Sequence, residues 1–377
     1  VLVASLFFCW GFAHSILDVL NKHFQNMLEI SKTRSALVQA MVYGGYFIMA
    51  IPAGVIIRKW GYKAGVTTGL ILYGIGALLF VPGERMMSFE FFLLCLFIIG
   101  CGLTCLETAA NPYVTVLGEP ETAASRLNLA QSLNGLGWIV GPLVGGLIIF
   151  GDSGSVALPY AVIGIVVLVI AVLFSRIQLP EIVEESFSEK AGVDKLSKSA
   201  PYLFGLVALF AYVAAQTGVN SFFINYVTEV SSTITNQQAA LMLSFGGMGF
   251  FLLGRLLGTW LMNYLSAPRL LLICAVGAMI CMIGVICGGI IGLISLIVTY
   301  LFESIMFPTI FALALHGLST SATKRGSSYL IMTIVGGAIA PILMGYIGEN
   351  NMAIGFIIPL VCYLVVATYA KKNKKDL

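Results

Sequence analysis

Apolar stretches of about twenty residues recur from one end of this chain to the other, each long enough to cross a bilayer core of roughly 30 Å. Inside hydrocarbon every backbone N–H and C=O must be satisfied within the segment, so spans of this kind fold as helices. The pattern predicts twelve helices, near residues 1–24, 35–57, 64–82, 89–117, 126–150, 159–176, 200–227, 237–263, 269–287, 290–316, 326–348 and 352–370. The Gly-rich run at 288–292 leaves the junction of the ninth and tenth the least defined. Composition agrees. Hydrophobic residues make up 59% and charged residues 10%, with a mean hydropathy of +0.98, whereas soluble domains carry about a quarter charged residues. The chain is apolar from Val1 onward and shows no signal peptide, so it is expected to begin partway into the first helix. All eight Cys fall inside predicted spans without metal-ligand spacing, and are expected to be small core residues with no metal.

Basic residues set the orientation. One set of loops carries Arg58, Lys59 and Lys63, then Arg126, then Lys190, Lys195 and Lys198, then Arg269, then Lys324 and Arg325, then the tail Lys371 to Lys375. The opposite loops carry Glu84 with Arg85, Asp152, Glu229 and Glu349. The positive-inside rule then puts both termini in the cytoplasm. The loop with Lys22, Lys32 and Arg34 runs against this majority.

A hydrophilic connector of mixed charge separates six spans from six, dividing the chain into an N-terminal bundle 1–176, a cytoplasmic linker 177–199 and a C-terminal bundle 200–377. The halves echo each other. Glu107 lies inside an apolar run with Pro112 five residues on, and Glu303 stands in the same relation to Pro308. Arg126, Pro142 and Gly146 recur as Arg325, Pro341 and Gly345 at a common offset, and Gly44-Gly45 recurs as Gly246-Gly247. The expected fold is an all-α membrane protein of twelve transmembrane helices in two pseudo-symmetric six-helix bundles. A parallel six-helix repeat with a mid-membrane site is the layout of major facilitator transporters.

A carboxylate in hydrocarbon costs about 2.5–3.5 kcal/mol by insertion scales, so it normally faces a cavity and has a task there. Glu107, Thr108 and Asn111 share nearly one helix face. Pro112 lacks an N–H, which leaves the carbonyl of Thr108 free for a hydroxyl or a water. Glu303 is a second proton site or a direct sugar acceptor, or else a relic paired with His316 or a hydroxyl. Asp18 lies near the outer end of the first span, where Lys22 one turn on is an ordinary partner for it. Asn128, Gln131, Gln216, Asn220 and Asn225 offer amides that bond hydroxyls in both directions. Trp10, Tyr43, Tyr46, Tyr212 and Phe307 are candidates to stack on a pyranose, although aromatics in membrane helices more often pack.

Five segments carry a resemblance: Trp10 through Asp18, Cys105-Leu106-Glu107-Thr108-Ala109-Ala110-Asn111-Pro112, Arg126-Leu127-Asn128-Leu129-Ala130-Gln131, Ala215-Gln216-Thr217 and Phe307-Pro308-Thr309-Ile310-Phe311. Together they resemble the fucose–galactose–glucose:proton symporters, through nearly the whole chain. The resemblance implies a bacterial inner-membrane carrier that works by alternating access and imports a hexose with a proton. L-fucose is the first substrate it suggests, followed by galactose, glucose or an N-acetylhexosamine. It implies proton coupling and sugar recognition at Asp18 and Glu107, and sugar binding at Asn128, with Gln131 three residues beyond. The sequence departs from the family at Asn220, where a Trp is expected, and at Glu303, where a neutral residue is expected.

The expected partners are a monosaccharide and the bilayer, without nucleic acid, for a monomeric protein whose coupling ion is the proton and which needs no other cofactor. An enzyme is not expected. Gly151-Asp152-Ser153-Gly154 matches a serine-protease pattern but lies in a short loop with no suitable His, and no His-Glu-x-x-His occurs. The nearer alternative is a drug or metabolite:proton antiporter of the same fold, because Gly137-x-x-x-Gly141-Pro142 matches a pattern found in exporters. That pattern is equally a helix-packing motif.

Overall fold

The computed structural model describes residues 2–116, 123–151, 155–177, 199–315 and 329–376. Among them the chain is helical, and ten helices are long and apolar enough to cross a membrane. A shorter apolar helix spans Leu133–Ile149, and the first helix, α1, spans Leu2–Leu28. Together these match the twelve expected. The predicted linker lies almost wholly outside the described residues. The outward sides of the spans are apolar, as at Ile165, Val169 and Val172 along one helix, a surface suited to lipid rather than water. This is a multi-pass membrane protein.

The chain divides into two compact units. Unit 1 holds Val1–Ile30, Leu37–Glu184 and Asn236–Ser244; unit 2 holds Ser31–Ala36, Glu185–Thr235 and Phe245–Leu377. In unit 1, α1 is followed, after the short unit 2 helix α2 (Lys32–Ser35), by α3 (Leu37–Leu78), α4 (Phe80–Met86), α5 (Phe89–Val116), α6 (Ala123–Val144) and α7 (Ala157–Arg176). Gly61 breaks α3 into two spans, with φ at 81°, a left-handed value that other residues rarely adopt.

Close approach of α1 and α6 explains the Gly-rich sequence there. A Cβ on Gly137 would meet the backbone of Phe8 and Phe12, and one on Gly11 the backbone of Asn134. Small residues at such a crossing let backbones touch. Side chains then tie the pair: Asn134 Nδ2 donates to the carbonyl of Phe7 at 3.1 Å, and Ser15 Oγ to that of Gly137 at 3.1 Å.

In unit 2 the helix Ala267–Cys287 turns at Gly288 and Gly289, both at positive φ, into the helix Gly289–Glu303. This is the junction left open by the sequence. That second helix stops at Glu303, and a new one, Met306–Leu315, follows. Pro308 cannot donate to the carbonyl four residues back, and that carbonyl, of Ser304, instead accepts Nε of Arg255 at 3.4 Å.

Candidate functional site

Unit 1 gathers polar side chains on facing stripes of α1 and α3. Positions 10, 14 and 18 share one face of α1, and 39, 43 and 46 one face of α3, as the helical period requires. Asp18 is buried, and its Oδ1 accepts Nε2 of Gln39 at 2.9 Å. Its Oδ2 has no hydrogen-bond partner among the described residues. Further along, Nε2 of His14 lies 3.0 Å from the hydroxyl of Tyr46. The same hydroxyl faces the carboxyl of Glu107 of α5, which is half-buried.

Aromatic rings enclose this chain of contacts. Trp138 of α6 stacks on the His14 imidazole at 6.0 Å and 14°. Tyr43 and Trp10 stand 5.8 Å and 6.4 Å from it. Thr108 turns its hydroxyl back to the carbonyl of Thr104 at 2.7 Å, so it serves its own helix. Asn111, Asn128 and Gln131 lie on α5 and α6, but their side chains fall outside the described residues.

Unit 2 holds a third acid. Glu303 is fully buried, and its Oε1 accepts the hydroxyl of Tyr363. Its Oε2 has no partner among the described residues, while its backbone carbonyl accepts the hydroxyl of Tyr212 at 3.0 Å. His316, a partner considered from sequence, lies outside the described residues. Phe307 is half-buried and stands near Tyr212 and Phe311, at 6.3 Å and 6.1 Å. Asn220 is buried with its Oδ1 unpartnered among the described residues, and Gln216 is half-buried.

The sequence singles out the three acids and several aromatics but neither His14 nor Tyr363. Nothing local marks them, since their partners lie 32 and 60 positions away. The glycines of Gly137-x-x-x-Gly141 pack against α1, with Ser15 and Ile16 closest to Gly141, so the exporter-like pattern is a helix contact in this chain.

A family model described as Major Facilitator Superfamily matches residues 3–341. The chain belongs to the major facilitator superfamily. Within this superfamily it is 36% identical to the L-fucose-proton symporter of Escherichia coli, over 98% of this chain and 92% of that protein. It is 37% identical to a glucose/galactose transporter of Brucella abortus, over 98% and 93%. The crystal structure of an E. coli fucose:proton symporter variant superposes with a TM-score of 0.73 at 36% identity, covering 98% and 97% of the two chains. These full-length likenesses bear out the resemblance carried by the five sequence segments.

Proposed function

We propose that this protein imports a hexose together with a proton by alternating access, with L-fucose first among the substrates and galactose, glucose or an N-acetylhexosamine behind it. The observation that carries the reading is the pair of acids in unit 1, Asp18 buried and Glu107 half-buried. Asp18 is bonded to the neutral Gln39 and Glu107 faces the hydroxyl of Tyr46, with no ion pair to either acid among the described residues. The full-length relatives named as sugar transporters support the substrate class.

In this reading Asp18 and Glu107 bind the proton, and Glu107, with Asn111, Asn128, Gln131 and Trp10 in unit 1, contacts the sugar. Gln216, Asn220, Glu303 and Phe307 are the sugar-contacting candidates of unit 2. An acid held without a counter-cation is costly while ionised, so protonation favours the loaded carrier. A protonated carboxyl also adds a donor for a sugar hydroxyl. Proton loss on the inner side removes that donor and releases the sugar. The protein acts in this scheme as a carrier rather than an enzyme, as a monomer in the bacterial inner membrane with both termini in the cytoplasm. Its coupling ion is the proton, with no other cofactor.

The test is uptake of L-fucose, D-galactose, D-glucose and N-acetyl-D-glucosamine into proteoliposomes under an imposed inward proton gradient. Accumulation of at least one sugar that collapses with a protonophore is expected. Accumulation indifferent to the gradient, or driven by sodium, overturns proton symport. Glu107→Gln should reduce gradient-driven accumulation to background while counterflow stays measurable; full accumulation in that variant removes Glu107 from coupling.

A further inference from the structure

The hydroxyl of Tyr46 lies between two titratable groups. On one side is the carboxyl of Glu107; on the other is Nε2 of His14, 3.0 Å away. All three belong to unit 1, and His14 and Tyr46 are buried. A phenol both donates and accepts, and a neutral imidazole carries one donor and one acceptor nitrogen, so this order of groups conducts a proton in either direction. We propose that His14 is the proton acceptor for Glu107, with Tyr46 as the bridge. The inference rests on the symport reading above and extends it to a residue outside that reading.

The step balances without any outside reagent. With Glu107 protonated, its O–H donates to Oη of Tyr46, and the Tyr46 O–H donates to Nε2 of His14. The Glu107 proton moves to Oη as the Tyr46 proton moves to Nε2. Glu107 is left a carboxylate, Tyr46 is unchanged, and His14 becomes an imidazolium. Buried protein accepts such a charge only where the surroundings stabilise it. Around His14 the described groups are Tyr43 and Tyr46 from α3, Trp138 from α6, and Trp10 from α1. Glu107 of α5 stands behind Tyr46. The face of the stacked Trp138 ring favours a nearby cation. One turn along α1 from His14 lies Asp18, on the same face, bonded to Gln39 across from it.

The experiment is a pH titration of the protein in nanodiscs with 15N-labelled histidine. The chain has three His, so the His14 signal is the one that vanishes in His14→Gln. In Glu107→Gln its titration midpoint should move by about one pH unit or more, the mark of interacting sites. In Tyr46→Phe the added change Glu107→Gln should no longer move it, as a double-mutant cycle requires for a bridged pair. An unmoved midpoint in Glu107→Gln overturns the proposal, and that variant decides the matter alone should Tyr46→Phe not fold. In transport, His14→Gln should lower gradient-driven uptake of the sugar that the wild type accumulates at least tenfold and flatten its pH profile. Wild-type uptake rate with an unchanged pH profile in that variant also overturns it. Failure of the wild type to accumulate any of the four sugars would sink the symport reading, while the titration still decides the relay.

Discussion

At the scale of single residues, the two acids marked by their sequence positions differ in what holds them. Glu107 shares its partner with a histidine, whereas Glu303 has Tyr363 on one oxygen and no described partner on the other. A fully buried carboxyl without an ion pair among the described residues favours the neutral acid. A glutamine keeps the oxygen that accepts from Tyr363, so Glu303→Gln should leave thermal stability nearly unchanged. Tyr363→Phe strips that acceptor of its donor, and an unsatisfied buried group costs about 1–3 kcal/mol. Melting of the purified variants followed by tryptophan fluorescence separates the two: equal losses would mean that Glu303 is ionised in the folded state. The presence of both acids is legible in the sequence because hydrocarbon makes charge conspicuous. Their partners are not. Tyr46, Tyr363 and His14 look like any other aromatic of a membrane helix until the fold brings residues from different helices into register.

At the scale of helices, hydropathy fixes number and approximate length, because the bilayer thickness and the rise per residue leave little freedom. Ends and breaks follow local chemistry, as at Gly61, Gly288 and Pro308. Neighbour choice is written less plainly. The pairing of α1 with α6, across more than a hundred residues, depends on Gly11, Gly137 and Gly141, and the Gly-x-x-x-Gly spacing offers it only as one of two readings. Contact with backbone on both sides leaves no flexible side chain to move aside. Gly137→Ala therefore overpacks the crossing against the backbone of Phe8 and Phe12, at a cost of about 1–3 kcal/mol. Gly44, with open space where its Cβ would lie, is the matched control. A melting temperature lowered in Gly137→Ala and preserved in Gly44→Ala is the expected result; equal values would mean that the crossing is looser than described.

At the scale of the whole molecule, the majority of basic loops points to one orientation, against which Lys22, Lys32 and Arg34 stand out. Unit 2 accounts for one of the three. The Lys32 ammonium lies 2.5 Å from the carboxylate of Glu229 and donates to the carbonyls of Gly348 and Glu349, each at 2.8 Å. The carboxylate of Glu349 in turn accepts the backbone N–H of Lys32 at 3.0 Å, and the N–H and hydroxyl of Thr33 at 3.2 and 3.1 Å. Such a lysine is explained by the carboxylates and carbonyls it ties together, and needs no role in steering insertion. Two consequences separate. A C-terminal green fluorescent protein fusion should fluoresce in a bacterial host, and should do so equally in Lys32→Gln, since the loops that the proposed orientation puts in the cytoplasm keep their basic excess. The same variant should lose about 1–2 kcal/mol of stability, a part-exposed ion pair plus two hydrogen bonds to carbonyls. A dark fusion in the wild type would invert the orientation. If Lys32→Gln alone turned the fusion dark, this lysine would be a topology signal, and the docking of residues 31–36 on unit 2 would follow from insertion rather than secure the folded protein.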